Sequence, residues 1–321
     1  MKTILILLVS LFLLSVNTES LVSQSSEKNL EATQRWLKGL GKVYTIKQLK
    51  SLQILDLAQT NVTDGELRHL NALKSLKKLL LWSTRVTDAG LVHLKNLKSL
   101  EFLFLLNTQI TDAGIIHLKN LKSLRVLNLD GTYVTDAGLL HLQAIKTLQY
   151  LSLRETQITD TGLGHLRSMM SLKGLSIGKT QVTNAGLLYL KGLKSLRYLD
   201  LEGTKVTDHG LVHLKDLIAL QSLNLSYTKM TGDGFIYLKS MLYLNSLNLG
   251  WTKVTSDKLV YLIVLKRLKN LDLYGTGVSD NGLVHLKALK SLQTIGLFDS
   301  KVTENGIKEL QKALPKCRIY Y

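Results

Sequence analysis

The sequence predicts an α/β solenoid that winds right-handed into a horseshoe, with a parallel β-sheet on its concave face and short helices on its convex face. Leucines recur every 24 residues from Leu52 to Leu292 without insertion or deletion, and they define eleven units. Within each unit the apolar residues first alternate and then recur at every third position. A repeat this regular indicates a scaffold, so we expect the function to lie in the positions that vary.

The first part of each unit is predicted to be a strand with one buried face. Leu196, Leu199 and Leu201 illustrate it. The variable residues Tyr198 and Asp200 flank Leu199, so variable and apolar side chains alternate from 198 to 201. Alternation of this kind is the period of a half-buried strand. Stacked units should therefore form one continuous parallel sheet.

The second part of each unit is predicted to be a short helix or a helix-like turn. Leu91, Leu94 and Leu97 are spaced by three, and Thr87 with Asp88 precedes them. A hydroxyl and a carboxylate at this point can accept the first helical amides, and the carboxylate suits the positive helix end. We interpret these aspartates as helix starters rather than catalytic acids. Seven units have one, at Asp64, Asp88, Asp112, Asp136, Asp160, Asp208 and Asp280.

Each unit should also direct one threonine inward. Thr60, Thr84, Thr108 and Thr132 occupy the same position in successive units. A buried hydroxyl is costly when it has no partner. We therefore expect these threonines to hydrogen-bond to one another along the stack.

The two ends of the chain lie outside the regular repeat. Residues 1–20 have the pattern of a secretory signal peptide, because a basic start precedes an apolar run from Ile4 to Val16 that is short against the roughly 20 residues that span a bilayer. We expect cleavage near Ser20 and a mature protein that is secreted or held in the periplasm or cell envelope. An N-terminal membrane anchor is the alternative.

Four segments follow from this division. They are the signal peptide at 1–20, an N-terminal capping helix with a partial repeat at 21–51, eleven repeats at 52–315 and a closing strand at 316–321. Leu30, Leu37 and Leu40 fall at helical spacing in the cap, and Ile319 stands where a twelfth strand would bury an apolar residue. The single cysteine, Cys317, excludes an internal disulfide, so the apolar core must stabilise the fold.

The signature L-x-x-L-x-L-x-x-T-x-V-T-D-x-G-L resembles that of leucine-rich repeat proteins, and in particular the TD-x-GL type. That type occurs in exported bacterial proteins, including those of planctomycetes, and in the cysteine-containing repeats of F-box receptors of ubiquitin ligases. The resemblance covers residues 41 to 321, although Thr60 and its equivalents stand where many members have Asn or Cys. It implies a protein-binding scaffold, and it identifies no partner.

The variable positions predict two surfaces of different charge. The concave face should be mildly acidic, although the chain carries a net charge of +17. The basic residues form two columns near the C-terminal ends of the short helices. Either they only solvate the convex face at a position that suits the helix dipole, or they form a basic surface that attracts anionic lipid or envelope polymer. The columns are Lys95, Lys119, Arg167, Lys191, Lys215, Lys239 and Lys287, and Lys74, Lys98, Lys122, Lys146, Lys194, Lys266 and Lys290. Nucleic acid is disfavoured, because no aromatic stacking positions alternate with the lysines.

Apolar and aromatic side chains on the predicted concave face are the main candidates for partner binding. Such contiguous exposed groups are the usual anchors of interfaces, although neighbouring rings also stack for structural reasons. The first patch is Leu80, Trp82, Phe102, Phe104 and Leu106. The second patch is Tyr227, Trp251, Tyr274 and Phe298, and Tyr150 and Tyr198 lie between the two.

One edge of the solenoid departs from the basic pattern. Where other units have lysine, units seven to nine have apolar residues that predict a lateral patch for a partner or a second copy. This lateral patch is Ile218, Leu242, Tyr243, Ile263 and Val264.

A column of histidines is the remaining feature with chemical potential. It contains His69, His93, His117, His141, His165, His213 and His285. Tyrosine or glutamate replaces histidine in other units, so we expect packing rather than a metal site.

The sequence therefore predicts a non-catalytic, exported scaffold that binds a protein ligand on its concave face, with no cofactor and no metal. Two alternatives stay open. One is a binder of anionic envelope polymer or lipid through the convex basic columns. The other is an F-box-like substrate receptor of a ubiquitin ligase, which requires a cytosolic chain.

Overall fold

The computed structural model describes residues 24–321, and these residues form the solenoid that the repeat predicts. Twelve strands lie in one open parallel sheet in the order of the sequence. The predicted signal peptide lies outside the described residues. The strands are β1 Ile54–Asp56, β2 Lys78–Leu80, β3 Phe102–Phe104, β4 Val126–Asn128, β5 Tyr150–Ser152, β6 Gly174–Ser176, β7 Tyr198–Asp200, β8 Ser222–Asn224, β9 Ser246–Asn248, β10 Asn270–Asp272, β11 Thr294–Gly296 and β12 Arg318–Tyr320.

The register of the sheet is the repeat itself. Leu199 of β7 pairs with Leu223 of β8, and every strand pairs with the next at a separation of 24 residues. The central residue of each strand points into the core, and from β1 to β10 it is a leucine. Side chains on either side of it face the concave surface, because neighbours along a strand point to opposite faces.

Short α and 3₁₀ helices form the convex side. A unit of 24 residues leaves room for about two helical turns, and 3₁₀ geometry covers more length per residue than α geometry. The α-helices are α1 at 24–39, α2 Ile46–Lys50, α3 Asp88–Leu91, α4 Asp112–Ile115, α5 Asp136–Leu142, α6 Asp160–Leu166, α7 Asn184–Leu187, α8 Asp280–Leu286 and α9 Glu304–Ala313. The 3₁₀ segments are Asp64–Ala72, Val92–Asn96, Ile116–Asn120, Leu188–Leu190, Asp208–His213, Asp233–Ser240 and Ser256–Val264.

One continuous apolar core runs through the units, and both ends of it are covered. Leu30 and Leu37 of α1 are buried at the N-terminal end, where Trp36 stacks on His69 with 5.4 Å between the ring centroids. At the other end Ile319 of β12 pairs with Ile295 of β11. Coverage of the terminal units keeps core leucines out of water.

The inward threonines do not form the ladder that the sequence suggested. The hydroxyl of Thr84 donates to the carbonyl oxygen of Leu81 in its own unit at 2.6 Å, and the hydroxyl of Thr108 donates to that of Leu105. Each hydroxyl thus caps the turn that follows its own strand. A local carbonyl three residues back satisfies the buried hydroxyl without help from the next unit.

The aspartates link neighbouring units instead. The Asp88 carboxylate accepts the backbone N–H of Thr111 at 2.8 Å and the Thr111 hydroxyl at 2.6 Å. The Thr111 hydroxyl in turn accepts the backbone N–H of Ala113 at the start of α4. The prediction is confirmed for the threonine, which is the N-cap, and for the aspartate's place in the first helical turn. It was wrong about the partners of the carboxylate, which bonds to the threonine of the next unit. We call this arrangement the aspartate clamp.

The clamp explains a column of glycines. A Cβ atom on Gly114 would lie 2.3 Å from Oδ1 of Asp88, and one on Gly162 would lie 2.3 Å from Oδ1 of Asp136. Each glycine therefore makes room for the carboxylate of the preceding unit. Clamp and glycine are two halves of one contact.

We predict opposite effects for alanine at two glycines of α6. Gly162→Ala should displace the clamp and lower the free energy of unfolding by about 2 kcal/mol, since hydrogen bonds to a charged group are lost. Gly164→Ala, whose Cβ would lie 3.7 Å from the Tyr189 ring, should raise it by roughly 0.5–1 kcal/mol through helix propensity. Urea unfolding followed by circular dichroism measures both.

A double variant tests the cause. In an Asp136→Ala background no carboxylate opposes the new methyl group, so Gly162→Ala should lose most of its effect. Equal effects of Gly162→Ala and Gly164→Ala would contradict the clamp.

Candidate functional site

The concave face carries the candidate site, and its backbone has a feature that the sequence analysis missed. The residue that follows each strand by three positions is left-handed in all eleven units, with φ between 54° and 63°. Glycine occupies this position at 131, 203 and 275, and these three glycines were the sign in the sequence that the backbone is left-handed here. Eight residues other than glycine adopt the same conformation, namely Gln59, Ser83, Asn107, Glu155, Lys179, Tyr227, Trp251 and Asp299.

Two aromatic residues are among the eight. A left-handed backbone costs a residue with a side chain roughly 1–2 kcal/mol, so Tyr227 and Trp251 need compensating contacts. Their rings stack with centroids 6.0 Å apart and 18° between the planes. The Trp251 ring also lies over Gly275, where a Cβ atom would come within 2.4 Å of it. The two rings thus form a fixed platform at the edge of the sheet.

The second patch is open to solvent. Tyr227 is 58% exposed, Phe298 is 62% exposed, and Trp251 is also exposed, whereas Tyr274 is half-buried. Tyr274 and Phe298 meet edge to face at 6.4 Å. The patch continues into the exposed rings of Tyr320 and Tyr321, which the sequence analysis did not include because they follow the last regular unit.

The first patch is less open. Leu80, Trp82, Phe102, Phe104 and Leu106 lie on the concave face, and all five are half-buried. The Lys78 ammonium group stands 5.4 Å from the centre of the Phe104 ring. Neighbouring side chains cover much of these five residues, so a partner could contact only part of each side chain.

Between the two patches lies an apolar hollow. Tyr150 and Tyr198 are exposed, and the Tyr150 ring lies over Gly174, where a Cβ atom would come within 2.5 Å of it. Together with Phe104 and Val126 they line a cavity of about 240 Å³. Burial, with the nearby Asp200 carboxylate second, raises the pKa of Tyr198 to about 12, so its phenol is neutral at physiological pH. We call this cavity the apolar hollow.

An ion-pair network crosses the sheet next to the hollow. The Arg154 guanidinium passes over Gly178 and donates to the carboxylates of Asp200 and Glu202. Asp200 is only 1% exposed, and it also accepts the Ser176 hydroxyl at 2.7 Å and the Asn224 side-chain amide at 2.9 Å. Burial lowers the pKa of Arg154, but the bonds with Glu202 and Asp200 outweigh it and raise the pKa.

Part of the charge on this face, which the sequence predicts to be mildly acidic, is paired within the protein. Asp200 and Glu202 share the single positive charge of Arg154, and Glu155 forms an ion pair with Lys179 at 2.7 Å. Sequence columns show which charges share a face, but they do not show which of them pair.

The convex face presents both basic and apolar side chains. Of the fourteen predicted basic residues, all but the half-buried Lys287 are exposed. A column of apolar residues that the sequence analysis missed runs beside them. Its exposed members are Ile116, Leu140, Leu188, Ile236, Val260 and Val284. In the lateral patch Ile218, Leu242, Tyr243 and Val264 are exposed, Ile263 is half-buried, and the Arg267 guanidinium lies 4.7 Å from the Tyr243 ring centre.

The chemistry-bearing side chains elsewhere are dispersed or buried. Within residues 24–321 no three histidine, cysteine, aspartate or glutamate side chains are grouped to hold a metal ion. Cys317 is buried, and burial raises the pKa of its thiol. No helix in the same range has the length and apolarity to cross a bilayer.

Comparisons with known proteins agree with the fold. A family model described as Leucine Rich repeat matches residues 144–166 and 192–215. No curated protein matches the sequence significantly. An internalin from Listeria monocytogenes is structurally similar, with a TM-score of 0.58, 22% identity and coverage of 91% of this chain and 93% of that one.

Two further structures are similar. A leucine-rich repeat protein of Leptospira interrogans has a TM-score of 0.46 and 21% identity, covering 86% of this chain and 91% of that one. A TDR receptor has a TM-score of 0.54 and 16% identity, covering 78% of this chain and 48% of that one. The chain thus has the leucine-rich repeat fold.

We predict that the Arg154 network stabilises the sheet. Arg154→Ala should lower the free energy of unfolding by about 3 kcal/mol, because it leaves the buried Asp200 carboxylate without its counter-charge. The matched control is Lys179→Ala, which breaks an exposed ion pair and should change nothing measurable. Urea unfolding measures both. Adding Asp200→Asn to Arg154→Ala should restore most of the loss, and an unchanged midpoint for Arg154→Ala alone would refute the role.

Proposed function

We propose that this protein is an exported, non-catalytic leucine-rich repeat scaffold of the TD-x-GL type, which binds a protein ligand on its concave face. The fold supports a binding role, since a solenoid offers a long surface whose side chains vary over a constant backbone. The partner-binding set is the one predicted above, extended by Tyr320 and Tyr321.

One observation carries the proposal: exposed rings follow the concave face over most of its length. Tyr150, Tyr198, Tyr227, Trp251 and Phe298 are each at least 40% exposed. Exposed rings of this kind, close together on one face, are typical of interaction surfaces, and tyrosine and tryptophan are the usual anchors.

The backbone beneath these rings is already ordered. Each strand is paired on both sides from β2 to β11, and the clamps join most units through charged hydrogen bonds. A ligand would therefore meet preformed positions, and less of its binding energy would be lost to ordering the scaffold. The apolar hollow has the size and lining to accept one apolar side chain of a ligand.

We predict that Tyr150→Ala with Tyr198→Ala weakens capture of the protein ligand from an extract of the source cells by at least about thirtyfold, as expected for loss of one or more binding hot spots. Quantitative mass spectrometry of the captured proteins measures it. The control is Leu140→Ala with Leu188→Ala, which removes two equally exposed apolar residues from the convex face. Both pairs should keep cooperative thermal unfolding.

A second pair, Trp82→Ala with Phe102→Ala, changes no residue that lines the apolar hollow and so tests the first patch separately. Capture that survives both concave pairs and fails with the convex pair would reject the concave assignment.

The convex face supports a second candidate function, binding to an anionic lipid surface or envelope polymer. The apolar column found in the structure runs between exposed lysines, for example Leu188 near Lys191. Apolar side chains flanked by basic ones are typical of surfaces that bind anionic membranes.

This second candidate predicts sedimentation of the protein with phosphatidylglycerol vesicles but not with phosphatidylcholine vesicles, and the bound fraction should fall steeply as salt rises. Lys119→Glu with Lys191→Glu should abolish it, because each substitution reverses one charge on the convex face. Lys253→Glu with Lys301→Glu makes the same charge change in the loops after the strands and should have less effect. Equal sedimentation of the two vesicle types would reject this candidate.

A further inference from the structure

A polar cavity of about 290 Å³ lies on the concave face around Asp272, at the end of β10. Its lining includes Asn248, Asn270, Asp272, Tyr274, Thr294 and Tyr320. Two glycines lie beside Asp272: Gly296 of β11 lines the cavity, and a Cβ atom on Gly250, two residues after β9, would lie 3.5 Å from Oδ1 of Asp272. The Tyr274 ring lies over Gly296, where a Cβ atom would come within 2.6 Å of it.

The solenoid contains an internal comparison for this aspartate. Asp200 occupies the same position of its unit three units earlier, and it is fully satisfied within the protein. The Arg154 guanidinium reaches it from two units back by crossing Gly178, and Ser176 and Asn224 donate from the strands on either side. A guanidinium over a glycine is thus a geometry that this sheet already accommodates.

Around Asp272 the same geometry is present without the guanidinium. Gly250 corresponds to Gly178, but Ser226 stands in place of Arg154 and Gly296 in place of Asn224. Within residues 24–321 the Asp272 carboxylate accepts only the backbone N–H of Tyr274, at 3.0 Å, and it has no cationic partner. Arg318, two strands away in β12, does not pair with it. Burial, partly offset by the Tyr274 bond, raises the pKa of Asp272.

We propose that Asp272 binds an arginine side chain of the protein ligand, which would lie over Gly250 as Arg154 lies over Gly178. The rings of Tyr274 and Tyr320 line the same cavity and can receive the flat face of a guanidinium. Arginine suits the site better than lysine, because its planar fork bonds a carboxylate through two N–H groups and stacks on rings. The proposal rests on concave-face binding and adds the chemistry of one contact.

Small molecules test this site without a known ligand. In ¹H–¹⁵N NMR spectra, N-acetyl-arginine amide at millimolar concentration should shift the amides of Tyr274 and its neighbours in a saturable way. N-acetyl-citrulline amide has nearly the same shape without the charge, and it should bind about tenfold more weakly or not at all.

The matched protein control is Asp56→Asn. Asp56 has the same position in the first unit and accepts the N–H of Ala58 at 2.9 Å, but it lies outside the cavity. Asp272→Asn should abolish the shifts caused by the arginine amide, and Asp56→Asn, with the same change in net charge, should preserve them. Equal shifts from the arginine and citrulline amides, or unchanged binding to Asp272→Asn, would overturn the proposal.

The result of the arginine-amide titration can be distinguished from the result of the capture experiment that tests the proposed function. Capture of the protein ligand tests the apolar hollow, whereas the arginine amide tests Asp272 directly. Loss of capture in the Tyr150 and Tyr198 variant together with no arginine binding would leave concave-face binding intact and reject only the arginine contact.

Discussion

The aspartate clamp is the contact on which the regular solenoid depends. A carboxylate in one unit accepts both the backbone N–H and the hydroxyl of a threonine 23 residues later, and the glycine three residues after that threonine leaves space for it. An insertion or deletion between clamp partners would move the threonine away from its acceptor. Hydrogen bonds to a carboxylate are among the stronger ones in proteins, and the contact recurs in most units. This gives a physical reason why the repeat length does not vary.

The interruption of the clamp supports this interpretation. In unit eight Gly232 replaces the aspartate, and in unit nine Lys258 replaces the glycine that an aspartate would need. The two halves of the contact are thus lost together, and Lys258 pairs instead with Asp233 and Asp257. Such exposed pairs contribute little, so units eight and nine are joined mainly by the sheet and the core. Local opening should be easiest here, close to the Tyr227 and Trp251 platform.

The sequence predicted the solenoid because strand and helix periods depend only on residue spacing, and the spacing of Leu196, Leu199 and Leu201 is unambiguous. It did not predict which unit supplies each hydrogen-bond partner. Thr84 and Asp88 are both polar residues at a turn, yet the hydroxyl bonds within its unit and the carboxylate bonds to the next. The left-handed backbone at Trp251 was also missed, because glycine appears there in only three units. The exposure of the aromatic patches was not predicted either. It depends on the size of the neighbouring side chains in adjacent strands, and the residues found at one position of the repeat do not show that size.

The charges divide the concave face into regions with different chemistry. Arg154 pairs with both acids around β7, Asp200 and Glu202, so one net negative charge is left at the centre of the face. The apolar hollow lies on one side of this network, and the cavity at Asp272 lies on the other. The distance from β6, at the floor of the hollow, to β10 is four strand spacings, or roughly 19 Å at 4.8 Å per strand. An extended segment crossing the strands covers that distance in about six residues. A ligand that presents an apolar side chain and an arginine at this separation would contact both sites from one short segment.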